Sequence, residues 1–213
     1  MDMDGQKQQK LLEECRAVLA LNDVGGWTKP TSNLYPHQWL WDSCFIAIGQ
    51  RHSSVKRAQR EIKNLFRGQW KNGMMPNIIY GTDKRYSDDI WKSHVAKKAP
   101  RNIKTSGITQ PPMPAEAIVK IGEKLSKADR KIWYKSVFED LLRYHEWLYR
   151  ERDPHGEGLI VLVHPWESGL DNTPSWMSEM HLNELPLWIR AIKVLHLHTV
   201  FNLLRRDTKY LPA

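Results

Sequence analysis

Helical periodicity dominates this 213-residue sequence and limits the folds open to it. In several stretches apolar residues recur at intervals of three and four positions, which is the spacing of one helix face. No competing segment shows the strict alternation of a half-buried strand. We therefore expect an all-α fold built from pairs of helices. The first predicted helix ends at residue 22, and the others cover residues 39–48, 55–66, 114–125, 129–149 and 179–206.

Two long segments, 68–112 and 152–176, interrupt this pattern with glycines and prolines. Loops of this length in a compact domain usually bind or cover something. The chain also has ten tryptophans, and seven of them lie at or near loop-forming residues. Because aromatic planes beside polar groups suit sugar rings, we expect a carbohydrate site on aromatic-rich loops at one rim of a ring of paired helices. The seven are Trp27, Trp39, Trp41, Trp70, Trp91, Trp166 and Trp176.

Composition argues against several other classes of protein. The formal net charge is +8, but the basic residues are spread along the chain. Their densest cluster, between residues 56 and 71, falls on the polar side of a predicted helix, which is the usual place for solvated charge. We therefore expect no nucleic-acid partner. The sequence contains no apolar run of about 18 residues and no secretory signal pattern. We therefore expect a cytoplasmic protein that does not associate with a membrane.

The cysteines and histidines do not suggest a metal centre. Cys15 and Cys44 lie within apolar helical patterns and are expected to be reduced core residues. His196 and His198 are two positions apart on a predicted helix, so they point to different sides and cannot share an ion. Residues 153–158 faintly resemble a calcium loop, but a proline and the lack of a bidentate glutamate favour a turn.

The segment at 166–176, WESGLDNTPSW, contains the best candidate for a catalytic acid, Asp171. A carboxyl group between indole rings loses hydration, which raises its pKa and keeps a general acid protonated near neutral pH. The alternative is that Asp171 belongs to a turn with a helix cap. Glu167 could orient this acid or form an ordinary ion pair, and both interpretations stay open.

Two further segments carry candidate binding residues. Residues 35–43 read YPHQWLWDS, and Asp42 is expected to be buried by Trp41 and Phe45. A buried charge needs partners, and sugar hydroxyls would serve. The alternative is a carboxylate that interacts with free N–H groups at a helix N-terminus. Residues 104–112, KTSGITQPP, place Gln110 on a rigid loop, where its amide offers both a donor and an acceptor.

Four motifs follow one another along the chain: QWLWDS at 38–43, GQWKNGMMP at 68–76, SGITQPP at 106–112 and ESGLDNTP at 167–174. Together they resemble bacterial members of glycoside hydrolase family 63, in particular its mannosylglycerate and glucosylglycerate hydrolases. The resemblance implies an (α/α)6 toroid that hydrolyses a small α-glycoside with inversion at the anomeric carbon and needs no cofactor. The alternatives are a trehalase or oligosaccharide α-glucosidase on the same toroid, or a noncatalytic carbohydrate-binding remnant.

The same resemblance implies roles for individual residues. The aspartate that matches Asp171 is the general acid, and a tyrosine like Tyr86 helps to hold the leaving group. Family members often have a histidine where this chain has Asn77, at a position toward the leaving group. The residues that match the sugar subsite of the family are Tyr35, Trp39, Trp41, Asp42, Gln110 and Trp166.

The resemblance also implies that the general base is a glutamate in the C-terminal half of the barrel. We therefore expect residues 1–213 to form a single partial domain, about half of the toroid, whose missing C-terminal half is its necessary partner. An inverting glycosidase needs two carboxylates about 6.5–9.5 Å apart. This chain alone is accordingly expected to be nearly inactive.

Overall fold

The computed structural model describes residues 3–32, 34–81 and 91–170, with side chains from residue 5 onward. The described residues up to Ser168 belong to one compact unit. The described residues are mostly helical, as expected, and the predicted helix at 179–206 lies outside them. The helices are α1 (Met3–Asn22), α2 (Leu40–Gln50), α3 (Val55–Arg67), α4 (Pro114–Gly122) and α5 (Lys127–Arg152), with 3-10 turns at Ser93–Val95 and Pro165–Ser168.

Serine caps and a proline fix where three of these helices begin. The Ser54 side chain accepts a hydrogen bond from the Arg57 N–H at the start of α3. The Ser126 side chain does the same for Asp129 at the start of α5. Pro114 occupies the first position of α4, where its missing N–H costs nothing. Short turns therefore join α2 to α3 and α4 to α5, which gives two helical hairpins.

Helices α2 to α5 share one hydrophobic core. The side of α3 predicted to be apolar is buried through Ala58, Ile62 and Leu65. On α5 the apolar spacing of the sequence predicts that Ile132 and Trp133 both point inward. This is wrong for Ile132, whose side chain is 67% exposed, whereas Trp133 is buried and its indole N–H donates to the Ile118 carbonyl at 3.0 Å. Neighbouring positions on a helix point in different directions, so only one of the two can face the core.

Helix α1 forms as predicted but does not bury its apolar residues. The side chains of Leu11, Leu12 and Val18 are at least half exposed. The expected burial of Cys15 is wrong, since this residue is exposed, whereas Cys44 is buried in the core. Burial raises the pKa of the Cys44 thiol, so this cysteine stays protonated and unreactive. Helical spacing indicates that a helix forms, not what packs against it.

A two-stranded antiparallel ribbon adds a small departure from the all-α expectation. Strand β1 (Gln38–Trp39) pairs with β2 (Ile78–Ile79), with Gln38 opposite Ile79. An isolated bridge joins Ile79 to Thr105. These pairings tie the long loop region of 68–112 to the residues that precede α2. Among the helices that the structure describes, none combines the length and the apolar character that crossing a bilayer would require.

Candidate active site

Helix α2 begins inside the first predicted sugar motif. Trp39 is the extended residue before the first turn, and Trp41 and Asp42 follow in that turn, both partly exposed. The expected burial of Asp42 by Phe45 is wrong, because the Phe45 side chain is 52% exposed. Its ring contacts Trp41, with the centroids 5.9 Å apart. Asp42 thus lies where the free N–H groups of a helix N-terminus favour a carboxylate, and it remains accessible.

Tyr35 and Trp39 form an aromatic corner at this helix start. Their ring centroids are 5.4 Å apart and the planes are nearly perpendicular, at 86°. Tyr35 is 47% exposed. An edge-to-face pair leaves ring faces free to contact a flat, half-apolar ligand.

Two buried polar groups beside this corner lack a hydrogen-bond partner among the described residues. The Trp39 indole N–H and both amide atoms of Asn77 have no hydrogen bond within the part of the chain that the structure describes. The Asn77 backbone accepts from the Leu40 N–H at 3.0 Å and donates to the Ile108 carbonyl at 2.8 Å. Asn77 therefore lies between the first and third motifs. A buried polar group without a partner costs about 1–3 kcal/mol, so such groups call for a specific explanation.

Gln110 joins the third motif to the start of α2. Its side chain is 4% exposed, and its Oε1 accepts the Trp41 backbone N–H at 3.4 Å. Its carbonyl accepts from the Tyr144 hydroxyl at 3.2 Å. That hydroxyl is also 2.8 Å from Thr109 Oγ1, and burial raises the Tyr144 pKa, which keeps the donor protonated. The loop that carries Gln110 is thus anchored to both α2 and α5.

Glu167 connects the third motif to the fourth. Its carboxylate is buried, with Oε1 2.9 Å from Arg152 Nη2. Oε1 also accepts the Thr109 N–H at 3.3 Å, and Oε2 accepts the Val163 N–H at 2.9 Å. Glu167 thus forms an ion pair with Arg152. Whether Glu167 also orients the acid stays a prediction, because Asp171 lies outside the described residues.

Trp166 belongs to an aromatic cluster on the loop after α5. Its ring centroid is 5.1 Å from that of His164 and 6.1 Å from that of Trp91. The cluster is partly exposed. It brings Trp91, at the start of the segment that follows residue 90, next to the loop after α5. The sequence marks Trp91 only as one of several loop tryptophans.

The sequence did not single out Glu61, the most highly connected carboxylate of the described chain. This residue on α3 is completely buried. Its carboxylate accepts hydrogen bonds from Thr28, Gln38 and Ser43 and forms an ion pair with Arg57. The sequence did indicate that Glu61 is noteworthy, because position 61 falls on the same side of the predicted helix as the apolar residues of α3. A lone glutamate on such a side must find partners when it is buried.

Five residues singled out in the sequence fall outside the described residues, namely Tyr86, Asp171, Trp176, His196 and His198. Residues 153–158 form a turn, as predicted, in which the Asp153 carboxylate accepts the N–H groups of Glu157 and Gly158. No group of three potential metal ligands occurs within the described ranges.

In this protein the loops between the helices bring tryptophans together with a buried amide and carboxylates. This combination is typical of a carbohydrate-active domain. The comparison with known families is more specific. The chain belongs to the family described as the mannosylglycerate hydrolase MGH1-like glycoside hydrolase domain, whose model matches residues 35–206.

Relatives named as glycosylglycerate hydrolases are similar over most of this chain. A mannosylglycerate hydrolase of Rubrobacter radiotolerans is 40% identical over 196 residues, which cover 88% of this chain and 44% of that protein. A glucosylglycerate hydrolase of Mycolicibacterium hassiacum is 40% identical over 191 residues, which cover 84% of this chain and 43% of that protein. The chain thus spans less than half the length of these relatives.

The described fold also matches solved structures of the family. The GH63 mannosylglycerate hydrolase from Thermus thermophilus in complex with Tris and D-glycerate is similar with a TM-score of 0.72 and 39% identity. The match covers 83% of this chain and 42% of that one. The same enzyme in complex with glucose matches with a TM-score of 0.69 and 38% identity, over 93% of this chain and 50% of that one.

Proposed function

We propose that the protein carrying this chain is an inverting α-glycosidase that hydrolyses a glycosylglycerate, such as mannosylglycerate or glucosylglycerate. The hydrogen bond from the Trp41 N–H to Gln110 Oε1 supports this most directly. It joins the first turn of α2 to a loop residue 69 positions further along the chain, and both were predicted to line a sugar subsite. Relatives named for hydrolysis of both glycosides support the substrate class. The chain would form part of an (α/α)6 toroid and act with further helices that complete the ring.

In this proposal the sugar ring binds against the start of α2. The ring faces of Tyr35, Trp39 and Trp41 cover the apolar faces of the sugar. The accessible Asp42 carboxylate accepts hydrogen bonds from sugar hydroxyls, which compensates for its desolvation when the sugar binds. The Trp39 indole N–H, which has no partner in the described ranges, is suited to donate to a sugar oxygen. Trp166 closes the subsite from the loop that carries the acid.

Gln110 and Asn77 would select the orientation of the ligand. Oε1 of Gln110 is engaged by the Trp41 N–H, which fixes the direction in which its NH2 group points. The Asn77 amide has both its donor and its acceptor free of protein partners within the described chain. Buried groups of this kind discriminate strongly against ligands that cannot satisfy them. Tyr86 completes the leaving-group side in this proposal.

Asp171 would protonate the glycosidic oxygen as the bond to the anomeric carbon breaks. A second carboxylate, about 6.5–9.5 Å away on the opposite face of the ring, would take a proton from the attacking water. The proposed base is a glutamate supplied by the remainder of the toroid. Attack on the face opposite to the leaving group inverts the anomeric centre, so an α-glycoside releases the β-sugar.

Incubation of the full-length protein with mannosylglycerate, glucosylglycerate and trehalose, followed by proton NMR, tests the proposal. We expect one of the two glycerate compounds to be cleaved, with the β-anomer appearing first. Early release of the α-anomer would contradict the inverting mechanism. Cleavage of trehalose alone would favour the trehalase alternative. Glucose or mannose binding without hydrolysis of any compound would favour a binding protein.

A further inference from the structure

The start of α2 is held from behind by one buried carboxylate that would not itself contact the sugar. Glu61 lies on α3 and its side chain is completely buried. Its Oε2 is 3.1 Å from Arg57 Nη1 and accepts the Thr28 hydroxyl at 2.9 Å. Its Oε1 accepts the Thr28 backbone N–H at 3.2 Å. Burial raises the pKa of the Glu61 carboxyl, while Ser43, Arg57 and Thr28 oppose this shift.

The remaining partners of Glu61 are the residues on either side of the sugar-binding tetrapeptide 39–42. Gln38, which precedes Trp39, donates its side-chain N–H to Glu61 Oε1 at 3.1 Å. Ser43, which follows Asp42, donates its hydroxyl to the same oxygen at 2.6 Å. A single carboxylate oxygen therefore holds both ends of the tetrapeptide.

A further contact fixes the orientation of the Gln38 amide. Asn64, also on α3, donates its side-chain N–H to Gln38 Oε1 at 2.6 Å, so both ends of the amide are occupied. Gln38 and Ser43 are both completely buried. With both ends occupied, the buried Gln38 amide is held in one orientation. Functional groups in turn need support of this kind to stay within about 0.5 Å of their working position.

We propose that Glu61 is a positioning residue of the sugar subsite. By holding Gln38 and Ser43 with one oxygen, it determines where Trp39, Trp41 and Asp42 meet the sugar ring. The inference rests on the proposed function, since it requires that this segment contacts a sugar. A carboxylate is needed because its partners near the two oxygens are all donors, and a neutral amide would turn an NH2 group toward one of them.

The test compares the full-length wild type with Glu61→Gln by two measurements. One is the KM and kcat for the glycoside that the wild type hydrolyses. The other is a titration of tryptophan fluorescence with glucose and mannose, which needs no turnover. We expect KM and Kd to rise about tenfold or more, since a displacement of about 1 Å can cost 10²-fold. The kcat should change less than about twofold, because these contacts hold the sugar equally in the ground state and the transition state.

Two variants control for general damage to the fold. Glu116→Gln makes the same chemical change on the exposed surface of α4 and should leave KM and Kd unchanged. If Glu61→Gln does not fold, Ser43→Ala removes one contact while retaining the charge pair, and it should raise KM and Kd less, by about threefold. Folded Glu61→Gln or Ser43→Ala protein with wild-type KM and Kd would overturn the inference, as would a lower kcat at unchanged KM.

The same data separate this inference from the proposed function. If the wild type binds glucose or mannose but hydrolyses none of the glycosides, the proposed activity fails and the fluorescence titration alone decides the role of Glu61. If the wild type binds no sugar at all, the segment is not a sugar subsite and the inference is wrong. A fluorescence titration with full-length wild type is therefore the first experiment to perform.

Discussion

The Glu167 carboxylate pairs with the Arg152 guanidinium at 2.9 Å in a place where both side chains are largely shielded from water, with 1% and 13% of their surfaces exposed. Arg152 ends α5, whereas Glu167 lies in the turn next to the predicted acid segment. Because the same carboxylate accepts the Thr109 N–H at 3.3 Å, the pair links three elements of the proposed site. Its removal should therefore affect both stability and function.

Arg152→Met is expected to lower the free energy of unfolding by about 3–5 kcal/mol, since it leaves the Glu167 carboxylate buried without its counter-ion. Urea denaturation of the variant and the wild type measures this loss. The double variant Arg152→Met/Glu167→Gln should recover part of the stability, because it no longer buries a charge. Equal stability of the single variant and the wild type would mean that solvent reaches Glu167.

Gln110→Met should weaken turnover more than stability. The methionine fills a similar volume but cannot accept the Trp41 N–H or donate to a ligand. Loss of hydrogen bonds worth about 1–3 kcal/mol corresponds to a fall in kcat/KM of roughly tenfold or more. Steady-state kinetics of the full-length protein test this. Gln9→Met on the exposed surface of α1 is the matched control, and an unchanged kcat/KM for Gln110→Met would remove Gln110 from the site.

Gly73→Ala is expected to destabilise the second motif at its tightest point. Gly73 has a φ of 101°, and a Cβ atom there would lie 2.3 Å from the Arg143 carbonyl oxygen. The variant combines a backbone conformation unfavourable for alanine with a collision with the α5 backbone, so a loss above about 2 kcal/mol is expected. Gly156→Ala shares only the positive φ, of 67°, and meets no atom within 4 Å. Thermal unfolding should therefore show a clearly larger decrease in Tm for Gly73→Ala.

How far the sequence alone leads is illustrated by the boundaries of α3 and α5. Both begin at serine caps, and the predicted starts at 55 and 129 are within two residues of the observed Val55 and Lys127. Local chemistry controls such boundaries, so they can be predicted from local sequence. The ribbon of β1 and β2 could not be, because strands of two residues have too short a pattern and their pairing depends on distant contacts.

Errors arose where the outcome depended on a neighbouring element. Cys15 and Ile132 both fit a helical apolar pattern but are exposed, since nothing within the described core packs on their sides. The motifs that contain Trp41 and Gln110 occur in the sequence in the order typical of the family. The hydrogen bond between these two residues, however, can be seen only in the structure. Glu61 was missed for the same reason, because its partners come from three separate segments.

The free energy of unfolding should decrease as the pH falls below about 6.5, partly because of His145. Burial lowers the pKa of this half-buried imidazole from 6.5, and its Nε2 has no partner among the described residues. The unfolded chain therefore takes up a proton first as the pH falls below about 6.5, so stability is lost in that range. His145→Leu should reduce the loss measured by urea unfolding between about pH 8 and pH 5, while His155→Leu, at an exposed position, should not. A wild-type slope in His145→Leu would contradict the prediction.

The role of the acid can be tested by the chemistry of the leaving group. Asp171→Asn cannot donate a proton, so kcat for a glycerate glycoside should fall by about 10²–10⁴-fold while KM for the same compound changes little. Fluoride leaves a glycosyl fluoride without being protonated, so Asp171→Asn should hydrolyse this substrate with far less impairment. In the wild type, activity should decline as the pH rises through the pKa of the acid, and this alkaline decline should disappear in Asp171→Asn with the fluoride. Near-normal hydrolysis of the unactivated glycoside by Asp171→Asn would exclude Asp171 as the proton donor, and equal loss with both substrates would assign it a binding role instead.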